Sequence, residues 1–461
     1  MKVDVLVAEI GSTTTVVNAF MYNPDPAFIG RGVANTTVDT DVREGLDQAV
    51  GNLETHVGEP VCFEHMFATS SAAGGLRMTV SGLVYDMTVR AAEEAALNAG
   101  GNIRLITAGD LEQEDLKTIK NVKPNIVLVS GGTDYGDRRT AFNNIKKIES
   151  LKLDVPIVYA GNKENISRIK DYFEASDQLS QLTITENVYP RVDYMNIQPL
   201  RKIIYETFEA NITKAKGMYH IKEKIDGPIM PTPGAVMESA MLLSKHLGNL
   251  MVIDVGGATT DVHSITDPRE EYQAFMEGEP REKRTVEGDL GVFVNVQNVW
   301  ENLDETAFME KETIDAGTLQ SLKEQYTYMP ESDLQKTFVK ALSRICVFKA
   351  LDRHVGNLRK VYTSSGRKVI PEGRDVSRVK HIILTGGALV NLDNTESIIE
   401  EYIKTHQSRM MPGTDVKIHK DHDYIFAAAG VLSLKHEVEA MKLLFSSLRM
   451  EGFDEISQDD H

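Results

Sequence analysis

Cysteine is nearly missing from this sequence, since Cys62 and Cys346 are far apart and form no Cys-x-x-Cys pair. Four-thiolate iron–sulfur centres and cysteine-based zinc sites need clustered thiolates, so both are excluded. Sparse cysteine also fits a reducing compartment. We therefore expect no redox or metal centre that is built on cysteine.

Positive charge is also in short supply. The 461 residues include 50 Lys+Arg against 68 Asp+Glu, which gives a formal net charge of -18. Nucleic acids and anionic membranes are bound without sequence specificity through surfaces rich in Lys and Arg. We therefore expect neither nucleic acid nor a membrane as a partner.

Long apolar runs and a signal peptide are absent from the sequence as well. No uninterrupted apolar run reaches the roughly 18 residues of a membrane span. Residues 1–4 lead directly into a strand pattern, without the charged region and apolar core of a signal peptide. The composition, 41% hydrophobic and 26% charged, is typical of a globular protein. We predict a soluble cytoplasmic protein of two or three domains.

Strand and helix patterns alternate along most of the chain, which predicts βαβ units with a parallel sheet. The predicted strands are 3–10, 64–69, 103–107, 125–130, 156–160, 250–254 and 381–384, with a β-hairpin over 360–370. The predicted helices are 89–99, 112–120, 138–149, 163–174, 192–218, 235–247, 332–354 and 424–438. The Pro/Gly-rich segments 226–228 and 230–234 are predicted to be a linker, and the tail 455–461 to be disordered.

One pattern occurs twice at long range: an apolar strand, an acid, a glycine turn and then hydroxyl residues. It covers residues 7–15, with Glu9 and Gly11, and residues 252–262, with Asp254 and Gly256. Glycine lets the backbone approach a polyphosphate, amides and hydroxyls bond its oxygens, and the acid can hold Mg²⁺ through water. A single match of this kind is equally consistent with a plain hairpin turn.

A third glycine turn, at residues 382–390, consists of a strand, then Gly386-Gly387, then an apolar helix start. Such a turn can let a nucleoside lie against bare backbone, and it can equally be a tight connection from strand to helix. A small-residue helix with Ala and Gly at 427–430 follows it. The order of these four elements is more specific than any one of them.

In that order, the sequence resembles the actin, Hsp70 and sugar-kinase ATPase superfamily. More narrowly, it resembles the accessory, or reactivating, protein family of adenosylcobalamin-dependent glutamate mutase (methylaspartate mutase). The segments that carry the resemblance are SSAAGGL (70–76), VSGGTD (129–134), MPTPGAV (230–236), RTVEGDLG (284–291), RHVG (353–356) and LTGGAL (384–389). They extend over most of the chain. The family shares its name with a DNA mismatch-repair protein, but the acidic charge and the absence of repair-ATPase motifs argue against that activity.

The resemblance implies an α/β fold, that of an actin-like (ribonuclease H-like) two-lobed ATPase with an inserted small βαβ domain. We predict a first lobe at 1–100, an inserted subdomain at 101–190, and a long helix with linker at 191–229. The second lobe, with the adenosine site, is predicted at 230–454, before the tail at 455–461. Strand 125–130 ends in a Gly-Gly step as in cobalamin-binding modules, but the D-x-H-x-x-G segment that ligates cobalt is absent. We therefore expect the insertion to mimic such a module and to dock on the mutase without binding cobalamin.

The resemblance also implies ATP and Mg²⁺ as cofactors and an adenosylcobalamin-dependent mutase, in particular glutamate mutase, as the partner. ATP hydrolysis would loosen the mutase so that intact cofactor replaces damaged cobalamin. This is an ATPase coupled to conformational change, with no metabolic reaction of its own and with a homodimer as a possible assembly. Because clustered thiolates are missing, we expect the activation to be conformational and not redox.

The site residues that the resemblance implies lie in the three glycine turns. Gly11, Ser12, Thr13 and Thr14 are assigned to the β- and γ-phosphates, and Gly256, Gly257 and Thr259 to the second phosphate grip. Gly386 and Gly387 are assigned to the adenosine, Asp254 to catalysis at Mg²⁺ or the attacking water, and Glu9 with Asp254 to the metal. The family usually has Asp where this chain has Glu9, so Asp254 is the better-matched acid.

Some residues and functions stay open at the level of sequence. Glu287 and Asp289 could belong to the site or cap nearby backbone, and Arg353 and His354 have no partner that the sequence reveals. A small-molecule kinase, a hydantoinase- or oxoprolinase-like ATP-dependent amidohydrolase and a filament-forming actin relative share the ATPase core. A phosphorylated product, ATP use tied to ring opening, or nucleotide-dependent sedimentation would distinguish them in turn.

Overall fold

The structure is a computed structural model that describes residues 1–451 except 12, 38–39, 72–75, 193, 213–215, 277–278, 328 and 364–365. Ser12, most of the SSAAGGL loop, the centre of the predicted hairpin turn and the predicted disordered tail therefore lie outside the described residues. The chain divides into two compact units, Met1–Val236 with Glu277–Lys283 and Met237–Met276 with Arg284–His461. No helix in the described part of the chain has the length and apolar character that crossing a membrane requires.

The first unit contains a five-stranded sheet in the order β10-β4-β1-β2-β3. Its strands are β1 (Lys2–Ile10), β2 (Thr14–Met21), β3 (Ala27–Asn35), β4 (Cys62–Ser70) and β10 (Ile229–Pro231). Strands β1, β2 and β3 form an antiparallel meander, while β4 and β10 run parallel to β1. Helix α1 (Val42–Val57) begins at Asp41, whose carboxylate accepts from the Arg43 amide at 2.9 Å, and packs Leu46, Ala49 and Leu53 into the core.

A second sheet of the same unit is formed by the stretch between β4 and β10. Its strands are β5 (Leu76–Gly82), β6 (Gly101–Ala108), β7 (Ile126–Val129), β8 (Ile157–Tyr159) and β9 (Leu182–Ile184), and all neighbours are parallel. The helices α2 (Arg90–Asn98), α3 (Gln113–Val122), α4 (Thr140–Glu149) and α5 (Ile166–Ala175) connect them. The predicted βαβ rhythm is confirmed. The sheet begins at Leu76, ahead of residue 101, and the domain boundaries as such stay predictions.

Two predictions between the sheets were wrong in detail. The helix predicted over 192–218 is replaced by α6 (Gln198–Ile212) and a separate short helix α7 (Met218–Lys222). The predicted linker at 230–234 is instead strand β10 followed at once by helix α8 (Thr232–Leu247). Proline is tolerated there because Pro231 lies on an edge strand and Pro233 in the first turn of a helix, where its missing N–H has no required partner.

The second unit contains a five-stranded sheet in the order β13-β12-β11-β16-β17. The strands are β11 (Leu250–Val255), β12 (Thr260–Ile265), β13 (Glu282–Glu287), β16 (His381–Thr385) and β17 (Lys417–Lys420), and the predicted hairpin is confirmed as β14 (Asn357–Thr363) and β15 (Gly366–Glu372). The helices are α9 (Val296–Trp300), α10 (Glu305–Glu312), α11 (Ala316–Glu324), α12 (Asp333–His354), α13 (Gly387–Val390), α14 (Glu396–Thr405), α15 (Phe426–Leu432) and α16 (Glu437–Ser447). In the core of this unit, side chains of β11 such as Ile253 pack against α12, and Cys346 of α12 is fully buried. The other cysteine, Cys62 on β4 of the first unit, is exposed.

The two main sheets have the same strand order. In each, the first two strands form an antiparallel hairpin, a third follows on the outside, and the fourth and fifth lie parallel on the other side of the first. This repeated order is that of the ribonuclease H-like sheets of actin-like ATPases. The predicted α/β, actin-like fold class is confirmed.

Candidate functional site

The first glycine turn lies at the tip of the hairpin between β1 and β2. The Gly11 amide donates to the Thr14 carbonyl oxygen at 2.9 Å, which closes the turn. Thr13 and Thr14 are partly buried at the tip. Glu9, also partly buried, lies near the end of β1 beside Thr69 of β4. This unit thus places an acid, a closed glycine turn and two hydroxyl residues at one end of its sheet.

The second glycine turn, between β11 and β12, repeats this geometry in the other unit. The Gly256 amide donates to the Thr259 carbonyl oxygen at 2.9 Å. Asp254 precedes the glycine by two residues, as Glu9 does in the first hairpin, and it is paired with Thr385 of β16. The same hairpin, acid and neighbouring threonine therefore occur once in each unit.

The carbonyl oxygens of the second turn are bonded by the segment that follows β13. The Gly256 carbonyl accepts from the Val292 amide at 3.2 Å. The Gly257 carbonyl accepts from the Phe293 amide at 2.8 Å. Among the residues that the structure describes, the amides of 257–259 donate no hydrogen bond. Successive amides without an internal acceptor at a glycine turn can bind an anion such as phosphate.

Gly291 packs directly against the same turn. A Cβ atom at this position would lie 2.3 Å from the Ala258 carbonyl carbon, so a larger residue would displace the backbone of the turn. The Asn295 side-chain amide donates to the carbonyl oxygens of Ala258 at 2.7 Å and of Gly288 at 2.8 Å. The RTVEGDLG segment singled out in the sequence is therefore the support of the second hairpin.

The third glycine turn follows β16 and touches the acid of the second hairpin. Gly386 has φ of +87°, and a Cβ there would lie 2.3 Å from Asp254 Oδ1 and 2.5 Å from the Val255 carbonyl oxygen. A Cβ added at Gly387 would have Asn391 Nδ2 as its nearest neighbour, at 3.8 Å. The structure thus brings Asp254 and Gly386 together in the second unit, whereas a Cβ at Gly387 would meet only an ordinary van der Waals contact.

Asp421 fastens the end of β16 to helix α15. Its buried carboxylate accepts from Thr385 Oγ1 at 2.9 Å, from the Phe426 amide at 3.0 Å and from Ser447 Oγ at 2.6 Å. Burial raises the pKa of Asp421, although these hydrogen bonds oppose that effect. The Ala/Gly-rich helix expected from the sequence is thereby held at the same end of the sheet as the glycine turns.

A buried ion pair involves Asp261, which is the strand partner of Asp254 across the hairpin. Arg284 Nε donates to Asp261 Oδ1 at 2.9 Å, and both side chains are buried. Thr259 Oγ1 donates to Asp261 Oδ2 at 3.1 Å, which ties the turn to this pair. The Asp261 carboxylate is thus used inside the protein, and Asp254 is the acid of this hairpin with a candidate role toward a ligand.

Arg353, at the end of α12, binds both acids whose role the sequence left open. Its guanidinium donates to Asp289 Oδ1 at 2.6 Å and Oδ2 at 2.8 Å, and to Glu287 Oε2. The hydrogen bond from Arg353 lowers the pKa of Asp289, while burial raises the pKa of Glu287 against the effect of Arg353. Arg353 therefore joins the RTVEGDLG and RHVG segments, and we call its contacts with Glu287 and Asp289 the Arg353 clamp. Sequence reasoning named these residues without pairing them, although both segments were among the family motifs.

His354 has a structural explanation. Its buried ring bonds with Thr285 through Nδ1 at 3.0 Å and with Ser264 through Nε2 at 2.9 Å. Both ring nitrogens are engaged with hydroxyl groups inside the unit. The structure therefore favours a structural role for this residue over a role in catalysis.

Replacing Arg353 by methionine is expected to lower the free energy of unfolding by about 1–3 kcal/mol at pH 7, the usual cost of losing hydrogen bonds to charged groups. Glu287 has a raised pKa, so its ionisation costs stability as the pH rises above its ordinary value of 4.5, and Arg353 offsets part of that cost. The loss should thus be smaller near pH 4.5 than at pH 7 in urea unfolding. Arg359→Met, which removes an exposed ion pair with Glu372, is the control and should change little at either pH. Equal losses at the two pH values would show that Arg353 acts through packing alone.

The acids at these turns are too few to hold a metal ion alone, so a cation there would be bound mainly by the phosphates of a nucleotide. Within the described residues, no group of three or more His, Cys, Asp or Glu side chains could hold a metal ion by itself. Mg²⁺ is commonly held by one or two carboxylates together with substrate phosphates and water. The assignment of Glu9 and Asp254 to a metal stays a prediction.

Comparisons with known proteins give one family. The family model described as "MutL protein" matches residues 5–448 of the chain. "Protein MutL" of Clostridium tetanomorphum is 33% identical over 459 residues, which cover 95% of this chain and 98% of that protein. Among solved structures, a "Glycerol dehydratase reactivase" is 9% identical, with coverage of 93% and 99% and a TM-score of 0.33. A "diol dehydratase-reactivating factor in nucleotide free form" is 10% identical, with coverage of 94% and 99% and a TM-score of 0.33.

Proposed function

The chain belongs to the MutL protein family, and from this premise we propose that it is an ATP-dependent reactivating factor for an adenosylcobalamin-dependent mutase, in particular glutamate mutase. It would use ATP hydrolysis to exchange damaged cobalamin for intact cofactor in that enzyme. The observation that carries the ATPase part is the repeated glycine hairpin. In both units the glycine amide closes the turn on a threonine carbonyl at 2.9 Å, and an acid lies two residues earlier.

In this proposal, each glycine turn is a phosphate-binding turn of its own unit. The backbone amides of 257–259 supply the donors in the second unit, and the Gly11 turn supplies them in the first. The amides of 257–259 suit that role because they donate no hydrogen bond among the described residues, while the Gly256 and Gly257 carbonyl oxygens are bonded by the amides of Val292 and Phe293. Hydroxyl groups of Thr13 and Thr14 would add donors at the first turn. Thr259, whose hydroxyl already donates to Asp261, would contribute through its amide, and the adenosine would lie against Gly386 and Gly387. Mg²⁺ would supply charge neutralisation on the phosphates when bound.

Asp254 is the residue that we assign to hydrolysis. Its carboxylate Oδ1 lies where a Cβ at Gly386 would come within 2.3 Å of it, and Asp254 is the strand partner of Thr385. A fixed carboxylate at the end of a strand can orient an attacking water or a water of the metal shell. Glu9 has the equivalent position in the first unit, with a longer side chain.

Work on the mutase requires that ATP and ADP have different affinities for two conformations of this protein, since a ligand with equal affinity for both shifts nothing. The second hairpin is suited to transmit the presence or loss of the γ-phosphate, because hydrogen bonds connect its turn to segments that are distant in sequence. Through Asp261 and Arg284 it is tied to β13, and through Gly291 and Asn295 to the Arg353 clamp. A change at the turn therefore reaches α12.

The decisive experiment uses purified glutamate mutase that hydroxocobalamin has blocked. Adding this chain with ATP-Mg²⁺ and free adenosylcobalamin should restore activity to most of the unblocked level, and omitting ATP should leave it blocked. The mutase reaction is followed by product formation, with bovine serum albumin in place of the chain as the control. Restoration without ATP would refute the mechanism. No restoration, with a phosphorylated metabolite formed instead, would favour the kinase alternative.

We further propose that the parallel sheet of β5 to β9 docks on the mutase. Its order, β6-β5-β7-β8-β9, is the flavodoxin-like order in which ligands and partners meet the carboxyl ends of the strands. Two tyrosines that follow such ends are exposed, Tyr85 at 55% and Tyr135 at 67%. Exposed tyrosines are frequent anchors of protein interfaces.

The double variant Tyr85→Ser/Tyr135→Ser is expected to weaken binding to the mutase at least about tenfold, while ATP hydrolysis by the chain alone stays unchanged. Binding is measured by calorimetry or co-sedimentation with the full chain. Tyr219→Ser, which removes a tyrosine that is 60% exposed on α7, is the matched control. Deletion of 101–190 is less informative, because β5 would lose its neighbours. Unchanged mutase binding in the double variant would contradict the docking proposal.

A further inference from the structure

A cavity of about 590 Å³ lies at the amino-terminal ends of β11, β16 and β17, within the second unit. Three turns form it, those that lead into these three strands. The lining residues are Leu247, Gly248, Asn249, Ser377, Arg378, Val379, Lys380, His381, Gly413, Asp415, Val416 and Lys417. The glycine turns with Asp254 and Gly386 follow the opposite ends of β11 and β16. Six-residue β11 separates the two ends by about 16 Å at the usual rise of a strand.

The charge around this cavity is opposite to that of the protein as a whole. Arg378, Lys380 and Lys417 are exposed at its rim, and Asp415 is the acid among the lining residues. In the part of the chain that the structure describes, none of the three cations forms an ion pair with a carboxylate. The chain has a net charge of -18, so three cations without carboxylate partners at one cavity are a local reversal of sign.

A histidine pair forms part of the same end of the sheet. His381 Nδ1 and His419 Nε2 are 3.0 Å apart, and the rings are stacked with centroids 5.2 Å apart. One of these nitrogens must be unprotonated for the hydrogen bond to form. Burial, followed by the charges of His381 and Lys417, lowers the pKa of His419 to about 4. Burial and the charges of Lys417 and Lys380 also lower the pKa of His381.

We propose that this cavity is a second anion site, which binds a phosphorylated small molecule independently of the nucleotide turns. Its volume lies in the range of small-molecule pockets, and its concave shape suits a small ligand more than a flat protein surface. Arg378, Lys380 and Lys417 supply the positive charge and the N–H donors that phosphate groups require. The Asn249 and Ser377 side chains add neutral polar groups at the rim.

The pKa values of the two histidines provide a direct measure of whether the cavity is occupied. A bound phosphate would offset the positive charge of Lys380 and Lys417, so the pKa values of His381 and His419 should rise when the site is filled. Arg378 and Asp415 also line the cavity and carry charges of opposite sign. The direction of the expected shift is therefore fixed by the geometry.

The test is a titration of the full chain with inorganic pyrophosphate, followed by NMR of the histidine ring resonances at constant ionic strength. The resonances of His381 and His419 should shift in a saturable manner, with their pKa values raised by about half a unit or more. Lys380→Gln/Lys417→Gln should weaken the response at least about tenfold, whereas Lys404→Gln, an exposed lysine on α14, should leave it unchanged.

Two further arms show whether the response comes from this cavity. Asp254→Asn, which alters the nucleotide turns, should leave the response of the histidine pair intact. Orthophosphate should bind more weakly than pyrophosphate, because it offers one group to three cations. No saturable shift, an equal response in the double lysine variant, loss of the response in Asp254→Asn, or equal binding of orthophosphate would each overturn the proposal.

Discussion

Replacing Asp254 by asparagine is expected to lower the rate of ATP hydrolysis at least about a hundredfold, which corresponds to about 2.7 kcal/mol of transition-state stabilisation. The substitution keeps the size of the side chain and therefore its packing against Gly386. It removes the negative charge that would orient water or a hydrated metal ion. Hydrolysis is measured as phosphate release from ATP-Mg²⁺ by the purified chain, and the same variant should fail to restore a blocked mutase.

Two further variants make the Asp254 result specific. Asp393→Asn removes an exposed acid of the same unit, outside the glycine turns and outside the contacts of Arg353, and it should leave hydrolysis unchanged. Glu9→Gln tests the equivalent acid of the first unit and should have a smaller effect, because the longer side chain departs from the family pattern. Unchanged hydrolysis in Asp254→Asn, with a large loss in Glu9→Gln, would reverse the assignment of the two acids.

Replacing Gly386 by alanine is expected to lower the free energy of unfolding by about 3–5 kcal/mol, in the range that marks strained or overpacked positions. The left-handed backbone at φ +87° alone costs a residue with a Cβ about 1–2 kcal/mol. The new Cβ would also lie 2.5 Å from the Val255 carbonyl oxygen and 2.3 Å from Asp254 Oδ1, so the strand and the acid would both have to move. Urea unfolding at neutral pH measures the loss.

The neighbouring residue offers a matched control for this substitution. Gly387→Ala places a Cβ whose nearest neighbour is 3.8 Å away, so the free energy of unfolding should change by less than about 1 kcal/mol. If adenosine lies against Gly387, the same variant should nevertheless weaken ATP binding. Similar stability losses at the two positions would contradict the packing argument, and normal ATP binding in Gly387→Ala would remove that residue from the site.

Much of the fold could be predicted from local patterns. The alternation of strands and helices, the hairpin at β14 and β15 and the glycine turns all depend on neighbouring residues, which the sequence shows directly. The segment 230–234 shows the limit of this reasoning. Its prolines suggest a linker, but Pro231 lies on an edge strand and Pro233 at a helix start, and only the tertiary structure reveals an edge.

The candidate site also contains some features that local sequence predicts and others that only the tertiary structure shows. The acid and glycines of each hairpin are close in sequence, so the pattern predicts them together. Arg353 binds Glu287 across 66 residues and Asp289 across 64, and no local pattern can pair charges at that separation. The contact of Gly386 with Asp254 is equally a result of strand pairing, because β16 lies beside β11 in the sheet and not in the chain.

The contrast between the two cysteines makes the natural chain suitable for site-specific labelling. Cys346 is buried on α12, and burial raises the pKa of its thiol to about 12, so almost no reactive thiolate forms at neutral pH. Cys62 is exposed at the start of β4. A thiol-directed fluorophore should therefore attach at a single known position in the folded protein without any substitution. Nucleotide-driven motion and mutase docking can then be followed optically in the unmodified sequence.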